Sequence, residues 1–321
     1  MKTFANANAK DLQHAVKLSQ AAQSPVFVGG GSDLLGMVKE RIVTPDVLVH
    51  LRTMKSQGVL HTPHSTTIGG QTTLDEVSRM FQKDFPVLAQ AAATVATPQI
   101  RNTGTLAGNV TQRPWCWYYR NGFKCYKAGG NTCFSITGEN QFHAIFGGGP
   151  SFIVHPSDTA PALVALDAKF HIAGPSGQRV VPAAEFFVLP KQNAASENVL
   201  GPHELLASIE LPVLPPGSVS AYDKVMDREA WTHAVVSVAV VLQMDKDVCR
   251  SARIVLGGVA PVPWRVPEAE KMLTGQKITP ELAAQAGEAA VKGATPLAKN
   301  AYKVPLTSAT VKRAVWDLVK A

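Results

Sequence analysis

PVFVGGGSDLLG, residues 25–36, decides the fold class of this chain. A short apolar run enters three consecutive glycines, and the preceding segment 11–23 places Leu12, Ala15, Val16 and Ala22 at helical spacing. Helix, apolar strand and glycine turn, in that order, open an α/β lobe. The glycines leave their main-chain amides uncrowded, so an anion can approach closely. Two familiar phosphate motifs are excluded by spacing. G-x-G-x-x-G needs a third glycine where Leu34 stands, and a P-loop needs Lys then Ser or Thr where Met37 and Val38 follow Gly36.

Two further segments share this character, IGGQTT at 68–73 and QIRNTGTLAGN at 99–109. Each follows an apolar stretch and sets hydroxyl or amide side chains beside glycine, so one shared ligand explains the set better than three unrelated turns. Around them, 47–51 and 66–68 read as strands. Thr73 with Glu76 reads as a capping box opening a helix to Phe81, and Pro86 starts an alanine-rich helix to Thr97. Segment 113–150 is rich in aromatics, Gly and Cys without either period, and a loop of that length is usually functional. Order resumes at 155–172, with a strand expected over 165–172. Past Pro212, strand-like runs at 234–242 and 253–259 precede a helix capped by Thr279 with Pro280 first. A final helix carries Val311, Val315, Leu318 and Val319 on one face. The expected organisation is a lobe over 1–55, a second over 56–212 with 113–150 inserted, and a C-terminal α+β domain over 213–321.

Composition narrows the function. Of 321 residues 45% are hydrophobic, ample for a large core. The net charge of +7 is spread along the chain without a basic block, which argues against a nucleic-acid surface. The first residues lack the basic and apolar regions of a signal peptide, and no apolar run approaches the ~20 residues of a membrane span. A soluble, cytoplasmic chain is expected, or a periplasmic one exported with a signal-bearing partner. No Ser, His and Asp set points to a hydrolase. Three of the four cysteines, Cys116, Cys125 and Cys133, fall in one loop and suggest a local metal framework more than disulfides, whereas Cys249 reads as a small buried hydrophobe.

The segments GGGSDLL, IGGQTT, QIRNTGTLAGN and HPSDTAPALVALDA, in this order and spacing, resemble the FAD-binding subunit of the xanthine dehydrogenase and molybdenum hydroxylase family. YDKVMDREAWTHAVVSVAV and VLGGVAPVPWR extend the resemblance to that family's C-terminal flavoprotein domain. The resemblance implies an α+β fold: a two-lobed FAD-binding domain of the vanillyl-alcohol-oxidase type, then a CO-dehydrogenase-flavoprotein-like domain. It also implies that Gly29, Gly30, Gly31, Ser32 and Asp33, flanked by Val28 and Leu34, hold the FAD diphosphate. Thr103, Gly104, Thr105, Gly108 and Asn109, with Ile100, Arg101 and Asn102 in the same stretch and Thr72 beside them, line the cofactor from the second lobe. Asp158 matches a family position on the ribityl and adenosine side, and reads equally as a helix N-cap. Lys224 matches a lysine close to the flavin, though a lone strand lysine is commonly solvent-facing. Leu189 and Phe187 fall near the isoalloxazine by the same resemblance, or in the core.

The lengthened segment 113–150 resembles the subset typified by 4-hydroxybenzoyl-CoA reductase and the bacterial three-subunit aldehyde oxidases, whose insertion binds a [4Fe-4S] cluster through four cysteines. Cys116, Cys125 and Cys133 match three ligands, and Ser151, four residues before His155 of HPSD, stands where the fourth cysteine belongs. Serine is a harder, more basic ligand than thiolate. His143 or His155 are alternative fourth ligands, and a three-iron cluster, no cluster, or zinc remain open. The implied function is an electron-transfer subunit: a molybdopterin-binding large subunit oxidises the substrate, a [2Fe-2S] small subunit relays electrons, and FAD here passes them on. Four cysteines cannot hold two [2Fe-2S] centres, so that chemistry is expected on partner chains. A stand-alone FAD oxidase or reductase of the same fold, and a scaffold that has lost its flavin, are the alternatives.

Overall fold

The computed structural model describes residues 2–54, 58–230 and 232–320. The expected boundary between the first two lobes, at residues 55 and 56, lies outside them. Strands β1 (Ala5–Asn8), β2 (Pro25–Val28) and β3 (Val47–His50) form a parallel sheet in the order β1-β3-β2. The helix Leu12–Gln20 connects β1 to β2, with Asp11 accepting from the His14 amide at 2.8 Å as its cap. It buries Ala15 and Val16 in a small core with Val49, Leu51, Ala173 and Leu205. Since Ala173 and Leu205 come from the next sheet, the small lobe is seated on the large one.

That second sheet is antiparallel. It contains β4 (Val59–His61), β5 (Ser65–Gly69), β6 (Lys169–Gly174), β7 (Gly177–Pro182) and β8 (Leu205–Pro212), ordered β4-β5-β8-β6-β7. Thr73 and Glu76 make the expected capping box on the helix Leu74–Met80. The alanine-rich helix is shorter than expected, Pro86–Ala93, because Ala96 takes a left-handed φ of 44° and Thr97 caps a new helix, Pro98–Arg101. The strand expected over 165–172 is also displaced. Ala165 ends the helix Thr159–Ala165, Asp167 turns the chain at φ 51°, and β6 starts at Lys169.

The third sheet, β12-β11-β10-β9, comprises β9 (Ser218–Val225), β10 (Val236–Asp245), β11 (Val248–Gly257) and β12 (Trp264–Arg265). The run VSVAVVL of β10 is apolar on both faces because both are covered. Val236, Val238, Val240 and Leu242 face the helices Pro267–Leu273, Pro280–Ala290 and Lys303–Val319, while Ala239 and Val241 join the second lobe's core. Each such valine contributes roughly 1.5–3 kcal/mol by leaving water. One continuous core therefore crosses the junction of the second lobe and the C-terminal sheet.

The insertion 113–150 is fastened at both ends of the molecule. Lys127 is buried and pairs with Glu197 at 3.1 Å, and Asn140 accepts from the Lys299 amide at 2.9 Å. The fully buried Lys303 donates to the carbonyls of Phe142 at 2.9 Å, His143 at 3.3 Å and Gly258 at 2.7 Å. Burial pushes its pKa down from 10.5 to about 7. Lys303→Met takes the donor from the Phe142 and Gly258 carbonyls, while His143 keeps the Asn300 amide at 3.0 Å, so chemical denaturation should read a loss of about 2–4 kcal/mol. An unfolded lysine keeps its proton up to its ordinary pKa while the buried one has released it, so stability from this site rises with pH between about 7 and 10.5. The gap between wild type and Lys303→Met should widen over that window. A gap independent of pH would place the charged amine in the folded state throughout.

Candidate cofactor-binding site

A cleft of about 520 Å³ opens where β2 ends, between the first lobe, the second lobe and the segment following β9. Its walls include Val28 through Leu34 from the glycine loop, Ile100, Gly104, Thr105, Gly108 and Asn109 from the second, and Asp158, Thr232 and His233. The volume falls in the range of cofactor sites, roughly 300–1,000 Å³.

Close main-chain packing forms the cleft's narrow side. A Cβ on Gly30 would overlap the carbonyl of Thr103, and one on Gly29 would come within 2.8 Å of Thr105 Oγ1. Gly31 adopts φ 73°, which glycine takes without penalty. Thr105 caps the helix Leu106–Val110 by accepting from the Gly108 amide at 3.1 Å. Gln71 Oε1, 3.1 Å from the place of a Gly29 Cβ, is buried without a partner, as is Thr72 Oγ1. Unpartnered polar groups beside a glycine cradle fit a ligand that brings its own phosphate oxygens and hydroxyls. The residues present therefore suit FAD.

Every ionised side chain in the cleft wall is matched by a group outside it. Asp158, 4% exposed, pairs with Lys224 at 2.8 Å and accepts from the Tyr222 hydroxyl at 2.8 Å. Burial, then the Asp158 charge, raises the Tyr222 pKa well above its usual value, so the phenol stays a donor. Lys224 also donates to the carbonyls of Thr94 and Thr232, which spends all its protons. It is buried behind Asp158, neither solvent-facing nor in the cleft wall. Arg113 pairs with Glu197 at 3.0 Å, and Asp33 with Arg120 at 2.9 Å. His233 packs at a tilt against Trp115 with centroids 5.1 Å apart, and burial lowers its pKa, leaving a neutral imidazole at the cleft's edge.

Several expected site residues lie elsewhere. Asp158 makes no side-chain cap bond; Ser157 instead accepts from the Ala160 amide at 3.0 Å and donates to Asn109 Oδ1 at 2.6 Å, tying the helix Thr159–Ala165 to the second glycine segment. Arg101 turns away to the Val95 carbonyl at 2.9 Å, while Thr103 contributes its backbone against Gly30. Asn102 C-caps the helix Pro98–Arg101. Leu189 packs toward Gly147, and Phe187 meets Phe186 and His155 edge to face, so neither lines the cleft. Gln71 and His233 complete the site from within segments already singled out, IGGQTT and YDKVMDREAWTHAVVSVAV, while Arg113 and Arg120 do so with no motif that marks them.

The cysteine loop adjoins the cleft. Cys116 Sγ lies 3.3 Å from His143 Nε2, and Cys133 Sγ lies 3.1 Å from Ser135 Oγ and accepts from the Phe152 amide at 3.4 Å, next to the buried Ser151. Burial, reinforced by the charges of Cys125 and Cys133, pushes the Cys116 thiol up to about 11. His143 and His155 are held neutral by burial, at about 4 and about 3. Among the described residues, no group of three or more His, Cys, Asp or Glu is arranged to hold a metal ion. Cys249 is buried in the C-terminal core, as expected.

Gly30→Ala forces the glycine loop away from Thr103 at a cost of about 1–3 kcal/mol or more. Flavin content of the purified variant should fall at least about tenfold while the far-ultraviolet circular dichroism is kept. Full flavin content would mean that this approach does not shape the cleft.

A family model described as the FAD binding domain in molybdopterin dehydrogenase matches residues 2–214, and one described as the CO dehydrogenase flavoprotein C-terminal domain matches 220–318. The chain is 32% identical over 325 residues to the aldehyde oxidoreductase FAD-binding subunit PaoB of Escherichia coli, covering 97% of this chain and 96% of that one. It is 28% identical over 306 residues to the carbon monoxide dehydrogenase medium chain of Hydrogenophaga pseudoflava, covering 93% and 90%. The solved carbon monoxide dehydrogenase of Hydrogenophaga pseudoflava superposes with a TM-score of 0.77 at 25% identity, over 99% of this chain and 97% of that one. With both halves accounted for in this way, the chain belongs to the family of FAD-binding medium subunits of the molybdenum hydroxylases, and is an oxidoreductase subunit.

Proposed function

We propose that this chain holds FAD in the cleft beside Gly29–Gly31 and passes electrons from a [2Fe-2S] small subunit to an external acceptor, in a complex whose molybdopterin-binding large subunit oxidises the substrate. The observation that carries the reading is the glycine cradle packed on Thr103–Thr105, with unpartnered polar atoms beside it. When bound, FAD supplies one- and two-electron chemistry. The protein's share is placement. Amides of Gly29, Gly30, Gly31 and Ser32 offer donors to the diphosphate, with Thr105 and Asn109 on the facing wall and Thr72 buried next to Gln71. The Asp158–Lys224–Tyr222 cluster, fully hydrogen-bonded, holds a fixed charge pattern at the C-terminal edge. His233 and Trp115 restrict water at the mouth.

The same reading gives the cysteine loop an iron–sulfur cluster. Cys116, Cys125 and Cys133 supply the soft thiolates that iron favours, and aromatic rings of Trp117, Tyr118, Phe123 and Phe134 wall the loop. A [4Fe-4S] cluster needs a fourth ligand, and Ser151 or His143 is the nearest candidate by its place beside Cys133 or Cys116. Deprotonating the high-lying Cys116 thiol is what a cation there would do.

Purification of the native complex with metal and flavin analysis tests both parts. FAD, molybdenum and iron should co-elute, with iron in excess of that held by the small subunit. A full chain that is colourless and takes up no added FAD would end the proposal. Cys125→Ser should lower the chain's own iron while keeping flavin. Equal iron in wild type and variant would remove the cluster from this subunit and leave the flavin assignment standing.

A further inference from the structure

Asp33, whose main-chain amide can join those that would face the diphosphate, also sets a carboxylate in the cleft wall, two residues after Gly31. Left alone, it would repel that anion. Its partner is Arg120, in the insertion, with Nη1 at 2.9 Å from Oδ1 and Nη2 at 3.4 Å from Oδ2. Both side chains are largely buried, 13% and 16% exposed, so water screens the pair weakly. Arg120 is also held rigidly. Its Nε donates to the Pro114 carbonyl at 2.8 Å, Nη2 donates to the Arg113 carbonyl at 3.0 Å, and the guanidinium lies 4.4 Å from the Trp115 ring centroid. Below it, Tyr119, Cys116, Cys125 and Phe134 pack with Leu34 and Met37 of the helix that follows the glycine loop. Arg113, the cation that does line the wall, is committed to Glu197.

We infer that Arg120 is a positioning residue for the flavin cofactor: it cancels the Asp33 charge beside the glycine cradle and so sets FAD affinity from within the cysteine loop. The inference rests on the reading of the cleft as the FAD site. The insertion would then support the flavin as well as any metal it carries, because Trp115 lines the cleft, Arg120 meets Asp33, and Cys116 and Cys125 lie in the same short segment.

The test uses the full chain, stripped of flavin and titrated with FAD by fluorescence quenching. Arg120→Met should weaken binding roughly tenfold to a hundredfold, since it strands the Asp33 carboxylate. Arg120→Lys, which keeps the charge, should recover most of it. Asp33→Asn alone should bind at least as tightly as wild type, and Asp33→Asn with Arg120→Met should return to within a few-fold of wild type, because neither charge remains. A merely structural brace predicts otherwise: the double variant would bind no better than Arg120→Met, and Asp33→Asn would bind worse than wild type. Either result overturns the inference, as does Arg120→Met binding like wild type. A wild-type chain that takes no FAD overturns the reading of the cleft itself, and this inference with it.

Discussion

The carbonyl of Thr103 occupies the space that any side chain on Gly30 would need, and the rest of the site is arranged around that approach. It draws the turn after β2 onto the segment that joins two short helices of the second lobe. Neither segment makes a concavity by itself. Their closeness leaves main-chain amides as the inner surface, with Thr105 and Ser157 hydroxyls turned to cap helices and bond Asn109. A wall of backbone is smooth and polar, and suits a diphosphate better than a wall of flexible lysines, which would lose rotamer entropy on binding.

Charges in this wall obey one constraint. A buried ion must be paired, and each partner here comes from a distant part of the chain: Lys224 for Asp158, Arg120 for Asp33, Glu197 for Arg113. The pairs therefore do two things. They leave the cleft nearly neutral, and they tie the C-terminal sheet to the start of the helix Thr159–Ala165, the insertion to the first glycine segment, and the segment before β8 to the insertion. The cleft's shape depends on all three lobes being in register: the continuous core across Tyr222, Ala239 and Val241 joins the second lobe to the C-terminal sheet, and the small core of Val16 and Val49 with Ala173 and Leu205 seats the first lobe.

How much of this was legible in the sequence follows from how local each signal is. Glycine after a short apolar strand, the Thr73–Glu76 box and the Thr279–Pro280 cap are decided within a few residues, and each stands where it was read. Asp158 does stand at the N-cap position, but its side chain makes no cap bond, for a simple reason. Ser157 is equally competent one position earlier, and Asp158 is claimed by Lys224 and Tyr222, more than sixty residues away. The strand expected at 165 failed because a buried helix end and a buried strand are both continuous apolar runs, distinguished only by the left-handed Asp167 between them. Leu189 carried no local signal of its own.

Arg120 was invisible for the deepest reason. Nothing in WYYRNG separates a solvent-facing arginine from one that meets a carboxylate eighty-seven residues earlier in the chain. A long insertion near a cofactor motif is a hint that the two interact, but which of its cations reaches the motif depends on the loop's folded path. That path is set by Lys127, Asn140 and Lys303, three anchors that reach groups at Glu197, Lys299 and Gly258. The insertion is thus held as firmly as a core element although it has almost no secondary structure, and rigidity of this kind is what a group must have if its charge is to count at a neighbouring site.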